Sequence, residues 1–286
     1  MKAFVFPGQG SQRRGMGQGL FDEVPEYAAL EKDADALVGY SIRELCLQDP
    51  AGRLNRTQYT QPCLYVVNAL HFHKAVAAGE RPDFLAGHSL GEYSALFAAG
   101  AFDFLTGLRL VHKRGELMGG VKSGGMAAVA GLPAEQITRI LERHRLLSID
   151  VANFNAPLQT VISGPVEDIQ RAEAVFDGAG AQMYIQLPVS AAFHSRYLMP
   201  VAEAFERFLS SFTFHALRVP VIANATGDPY PDQDPTARIR HMLVRQITSP
   251  VLWTQTIRRL RSVGVSEFKE IGHGTVLTDL IRQMTP

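Results

Sequence analysis

Gly87-His88-Ser89-Leu90-Gly91 fits the G-x-S-x-G pattern, in which small flanking residues let a strand turn so sharply into a helix that the central serine hydroxyl stands exposed. With 25 glycines in 286 residues, the composition gives only about 0.1 chance matches to that pattern. Ser89 is the candidate nucleophile. An alcohol is a weak nucleophile at neutral pH, so the next requirement is a histidine base within hydrogen-bond reach. Of the nine histidines, His194 stands out. Its segment, Ala191-Ala192-Phe193-His194-Ser195, follows the last strand of an expected insertion, where the chain returns to its main domain. His88 is read as a wall or structural residue of the turn. His71 and His73, at i and i+2, fall on different sides of a helix and are read as solvated positions rather than metal ligands. Cys46 and Cys63 lack a C-x-x-C spacing, so neither a disulfide framework nor a zinc site is suggested, and Cys46 reads as a core residue.

The turn at Ser89 needs an apolar strand before it and a helix after it. Residues 82–87 supply the strand, and 92–99, closed by Gly100, supply the helix. Lys2–Phe6 is a second β-prone run, entering Pro7-Gly8-Gln9-Gly10-Ser11, whose glycines permit a tight turn. Between 61 and 78, Leu64, Val67, Leu70 and Val76 recur at helical spacing and predict a buried helix with Pro62 in its first turn. Another helix is predicted over 104–118. A small-residue break at Lys122-Ser123-Gly124-Gly125 then marks a boundary. Beyond it the pattern predicts strand 126–130, helix 134–145, strands 148–153 and 160–163, helix 166–177 and strand 182–187. This is the βαββαβ order of a ferredoxin-like unit. Strands at 219–223 and 267–270 return to the main domain, and the Pro- and Asp-dense stretch 227–235 reads as a surface loop. The expected fold is therefore α/β. An α/β-hydrolase-like large domain with a parallel sheet core, 1–123 and 191–286, would carry an inserted ferredoxin-like small domain, 124–190.

Charge and composition narrow the function. Lys and Arg number 28 against 28 Asp and Glu, and hydrophobic residues make up 46%. That balance argues against a disordered chain and against nucleic-acid binding through bulk positive charge. No apolar run approaches the ~18 residues of a membrane span, and the apolar stretch before Pro7 is too short for a secretory signal. The chain is read as a cytoplasmic monomer that acts on neither nucleic acid nor membrane.

Five motifs occur in order: Pro7-Gly8-Gln9-Gly10-Ser11-Gln12, Gly87-His88-Ser89-Leu90-Gly91-Glu92, Lys113-Arg114-Gly115-Glu116-Leu117-Met118, Ala192-Phe193-His194-Ser195 and Gln246-Ile247-Thr248-Ser249-Pro250-Val251. Together they resemble the malonyl-CoA:acyl carrier protein transacylase family over the whole chain. The run from Gly91 to Phe104 looks most like the discrete, trans-acting acyltransferases of modular polyketide synthases, including the disorazole type. The resemblance implies that Ser89 attacks the malonyl thioester of malonyl-CoA and that His194 is its base. It implies an oxyanion hole made by the backbone N–H groups of Gln9 and Leu90. Arg114 would bind the free carboxylate of malonyl through parallel hydrogen bonds, and Phe193 would crowd an α-methyl group. The backbone carbonyl of Gln246 would orient the imidazole, so its side chain is expected to matter little. Asn155, with Pro157, matches a motif that lines the cleft; a β-turn is the alternative. The recipient would be the phosphopantetheine thiol of an acyl carrier protein on another chain, and no metal or redox cofactor is implied. At Gly272-His273-Gly274 the chain departs from the commonest housekeeping pattern, which often has proline in place of His273. The competing expectations are a housekeeping transacylase of fatty-acid synthesis and a serine acyl hydrolase that edits carrier-bound acyl groups.

Overall fold

Alternation in the first strand decides the architecture. Phe4 and Phe6 enter one apolar core, Ala3 and Val5 a second, and all four are fully buried. A strand buried on both faces belongs inside a parallel sheet covered by helices. The computed structural model, which describes residues 1–284, has this arrangement. Thr285 and Pro286, where the expected large domain ends, lie outside the described residues.

In chain order the large layer begins with β1 (Lys2–Phe6) and four short helices, α1 (Leu20–Glu23), α2 (Pro25–Ala28), α3 (Glu31–Val38) and α4 (Ile42–Leu47). Then come α5 (Thr57–Ala77), β2 (Phe84–Gly87), α6 (Gly91–Ala98) and α7 (Phe104–Gly119). The second layer holds β3 (Gly125–Ala130), α8 (Ala134–Arg143), β4 (Asp150–Ala156), β5 (Gln159–Gly164), α9 (Val166–Gly178) and β6 (Met183–Gln186). The chain returns through α10 (Met199–Leu209), β7 (Val221–Ile222), α11 (Pro235–Thr248), α12 (Trp253–Ser262), β8 (Glu267–Glu270) and α13 (Val276–Arg282).

The first sheet has the order β7-β2-β1-β8, every pair parallel. Phe6 lies opposite Gly87 in the register, so the loops leaving β1 and β2 emerge side by side at the carboxyl edge. In open α/β sheets that edge is where ligands bind. The second sheet, β4-β5-β3-β6, is antiparallel throughout, the pairing a ferredoxin-like unit requires. One face packs under α8 and α9 through Ile137, Ile140, Ile169 and Phe176. Met126, Ala152 and Val161 on the other face join the large core. Two further ties hold the sheets together: Val251 exchanges backbone hydrogen bonds with Ala152 and Phe154, and Arg196 pairs with Asp150.

Three expectations are corrected. The long helix starts at Thr57, so Pro62 lies inside it rather than in its first turn. Burial from Thr60 to Leu70 overrides propensity there, and the Thr60 hydroxyl donates to the Leu54 and Arg56 carbonyls in the turn before the proline. His71 and His73 are half-buried, not solvated. Burial is the main reason that the His71 pKa falls to about 4, while the His73 ring packs against Phe72 and Phe97. The stretch 227–235 is mostly surface, yet Tyr230 turns inward and is buried. Both cysteines are buried and free. Among the described residues no helix is long and apolar enough to cross a membrane.

Candidate active site

Ser89 ends the turn between β2 and α6 with a φ of 51°, a left-handed conformation that costs a residue bearing a Cβ ~1–3 kcal/mol. The flanking glycines permit it. A Cβ on Gly87 would lie 1.9 Å from the Gly91 carbonyl carbon, and one on Gly91 would lie 2.0 Å from the Phe6 oxygen. Asn224, just past β7, locks the turn: its Oδ1 accepts from the Ser89 N–H at 2.7 Å, and its Nδ2 donates to the Gly87 carbonyl at 2.6 Å.

His194 arrives from the segment after β6, also at positive φ (57°). Its Nε2 lies 2.8 Å from Ser89 Oγ, and its Nδ1 faces the carbonyls of Gln246 at 2.9 Å and Ser249 at 3.2 Å. Carbonyls only accept, so Nδ1 carries the hydrogen and the lone pair of Nε2 meets the serine hydroxyl. That is the tautomer of a general base. Burial, reinforced by the charge of Arg114, lowers the imidazole pKa to about 3, so the ring is neutral near pH 7.

Arg114, on α7, is 1% exposed. Its Nη2 donates to Gln246 Oε1 at 2.9 Å and to Ser89 Oγ at 3.2 Å, and its guanidinium lies over the Tyr93 ring. Its Nε–H has no partner among the described residues. Burial lowers its pKa, yet a guanidinium stays charged at any physiological pH.

A cavity of about 100 Å³ joins these groups; Ser89, His194, Arg114, Gln9, Leu90 and Phe193 all line it. Among the described residues neither the Gln9 nor the Leu90 backbone N–H has an acceptor. The two loops abut so closely that a Cβ on Gly8 would lie 2.3 Å from the His88 oxygen and 3.5 Å from Leu90 N. Two free donors beside a nucleophile, one of them at a helix start, can hold a developing oxyanion. A larger cavity of about 690 Å³, walled by Phe72, Phe97 and Phe104, contains none of these groups. The arrangement suits acyl transfer to and from a serine hydroxyl, with a cation placed for an anionic acyl group.

Residues 3–285 match the family model described as the acyl transferase domain. The chain is 51% identical to the Bacillus velezensis polyketide biosynthesis malonyl CoA-acyl carrier protein transacylase BaeC over 286 residues, 99% of this chain and 96% of that one. The chain belongs to the malonyl CoA-acyl carrier protein transacylase family. It is also 54% identical to the Bacillus subtilis polyketide biosynthesis protein PksE, with 99% of this chain aligned, but it spans only 36% of that longer relative. A crystal structure of the malonyl CoA-acyl carrier protein transacylase from Burkholderia pseudomallei superposes with a TM-score of 0.93 at 49% identity, covering 100% of this chain and 99% of that one.

Within this transacylase fold the expected site residues gather, with two corrections. Asn155 lies in β4 rather than in a turn and is not on the cavity wall; its Oδ1 is 2.8 Å from Nε2 of His88, which is. That contact and the edge-on packing of His88 against Trp253 explain why His88 turns away from the serine. Gln246 is engaged through its side chain as well as its carbonyl, where only the carbonyl is expected to make contacts in the site. While Oε1 accepts from Arg114, Nε2 donates to the Ser89 carbonyl at 2.9 Å and to Glu92 Oε2 at 2.6 Å. The α11 face carrying Gln246 points into the interior, where an amide must find partners.

The transacylase site also holds residues that sequence reasoning did not single out: Asn224, Glu92, Tyr230 and Gln61. Gln61 is 1% exposed, lines the cavity and leaves Oε1 without a partner. Nothing local marks it in the sequence, where it follows Thr57-Gln58-Tyr59-Thr60 in the polar opening turns of the helix.

Proposed function

We propose that the chain transfers a malonyl group from malonyl-CoA, through an ester on Ser89, to the phosphopantetheine thiol of an acyl carrier protein, and that it serves polyketide biosynthesis as a discrete, trans-acting acyltransferase. The observation that carries this reading is the placement of Arg114, a buried cation within reach of the nucleophile and the cavity. An acetyl or long-chain acyl group has no use for it, whereas the free carboxylate of malonyl can form charge-assisted bonds to it. In the first half-reaction Ser89 Oγ attacks the thioester carbonyl as His194 Nε2 takes its proton. The tetrahedral oxyanion rests on the N–H groups of Gln9 and Leu90, and CoA leaves as the thiol with the proton from His194. In the second half-reaction the carrier thiol gives its proton to His194 and attacks the ester, and Ser89 leaves with that proton restored. Polyketide biosynthesis is supported by the names of PksE and BaeC.

Intact-mass analysis of the protein mixed with equimolar acyl-CoAs, followed by a holo carrier protein, tests both halves together. The expected result is one malonyl group per chain, absent in Ser89→Ala and passed to the carrier. Full malonylation of Ser89→Ala would overturn the assignment.

A further inference from the structure

Glu92 is the second residue of α6, three positions after the nucleophile, and its side chain is fully buried. It is not on the cavity wall. Each oxygen is nevertheless engaged. Oε2 accepts from Gln246 Nε2 at 2.6 Å and from the Asn224 N–H at 3.2 Å, and Oε1 accepts from the Tyr230 hydroxyl. Two of these donors also hold the nucleophile: Asn224 takes the Ser89 N–H, and Gln246 donates to the Ser89 carbonyl.

We propose that Glu92 is the positioning residue that gives the cavity its preference for a carboxylate-bearing acyl group, acting through the Gln246 amide on Arg114 without touching substrate. The inference deepens the malonyl-transfer reading and rests on it.

The argument turns on the sense of one carboxamide. Gln246 Nε2 faces two acceptors, a carboxylate and a carbonyl, so the amide has one orientation and must present Oε1 to Arg114. That oxygen fixes the guanidinium at the cavity wall. A neutral side chain at position 92 removes the anionic acceptor and leaves the Ser89 carbonyl alone to hold the amide, so Oε1 is presented to Arg114 less firmly. In its ionised form Glu92 is also the buried counterpart of Arg114, one amide away. Burial pushes the carboxyl up to about 7, against the hydrogen bonds from Tyr230, Gln246 and Asn224 and the charge of Arg114. Bridged rather than paired, Arg114 keeps its Nε–H unpartnered. A direct ion pair would leave less of its charge for an incoming carboxylate.

The test compares wild type with Glu92→Gln, measuring kcat/KM for Ser89 acylation by malonyl-CoA and by acetyl-CoA. The expected result is a loss of at least about tenfold for malonyl, the scale of one hydrogen bond to a charged group. The acetyl rate should change by less than about threefold, the change expected of a group that acts only on the carboxylate site. Equal losses for both would make Glu92 merely structural and overturn the proposal, as would no loss at all. If Glu92→Gln does not fold, Glu92→Asp, which keeps the anion but shortens its reach to the amide, must show a loss confined to malonyl; an equal loss for both substrates there overturns the proposal too. Wild type that takes no malonyl at Ser89 would instead refute the malonyl-transfer reading itself.

Discussion

Arg114 rests on Ser89: its Nη2 donates to the hydroxyl oxygen of the nucleophile at 3.2 Å. The cation placed for an acyl carboxylate therefore also engages a lone pair of the attacking oxygen until a better acceptor draws it away. A substrate carrying its own anion would supply that acceptor, so binding and activation coincide. Arg114→Ala should lower kcat/KM for malonyl-CoA by about 10²-fold, the loss of a charge-assisted pair, while acetyl-CoA holds level or improves. An unchanged malonyl-to-acetyl ratio would dismiss the clamp.

Asn224 holds the elbow from both sides of the serine. Asn224→Ala leaves the Ser89 N–H and the Gly87 carbonyl without partners, at a cost of about 1–3 kcal/mol in stability per buried group. The acylation rate should fall with it, because the serine no longer faces His194 at a fixed angle. Chemical denaturation alongside quenched-flow acylation would check this; full activity in the variant would contradict the role.

The neutral imidazole sets the pH behaviour. With its folded-state pKa lowered to about 3, His194 is a competent base down to mild acid, and the pH profile of acylation should show no limb near 6.5. Stability follows the depressed-pKa rule. The His194 contribution is present above its unfolded value of ~6.5 and is lost as pH falls toward 3, because the unfolded chain binds the proton first. Denaturation midpoints taken at pH 7 and pH 4 should separate more in wild type than in His194→Gln; equal separations would argue against a neutral buried ring.

Backbone contact makes the glycines of the elbow irreplaceable. Gly87→Ala places its Cβ on the Gly91 backbone, where no side chain can swing aside, and should cost more than ~3 kcal/mol, beyond ordinary overpacking. Gly178→Ala, at the end of α9 with nothing within 4 Å, is the control and should be neutral or slightly stabilising. Thermal midpoints of the pair decide it; a mild Gly87→Ala would mean the turn can open.

The parts of the site that follow from local rules were legible in the sequence. The G-x-S-x-G turn needs only small residues around Ser89, and the βαββαβ order follows from alternating patterns over 125–186. His194 is marked by its place where the chain leaves the inserted unit, whereas Arg114, Gln9 and Leu90 are legible only through motif resemblance, since nothing local marks one arginine or one loop residue above another. Glu92, Asn224 and Tyr230 escaped because their meaning lies in pairings more than 130 positions apart. A glutamate in the first turn of a helix ordinarily reads as a favourable charge at the dipole, and an asparagine after a strand reads as a turn. The Gln246 side chain was set aside because its carbonyl already had a role. Pro62 misled for a related reason: helix-start preference is weak beside burial on every side.

The imidazole of His194 leans on carbonyls, with no carboxylate behind it among the described residues, and this bears on how long the acylated serine survives. Such a ring gains little when it becomes an imidazolium, so it is feeble at stripping a proton from water, whose pKa is ~15.7. A thiol, near ~8.5, surrenders its proton far more readily and needs much less help. Leaving out the third member of a hydrolase triad thus acts as a filter on the second reactant. The expected outcome is an ester that hydrolyses slowly in solvent and yields when a sulfur arrives.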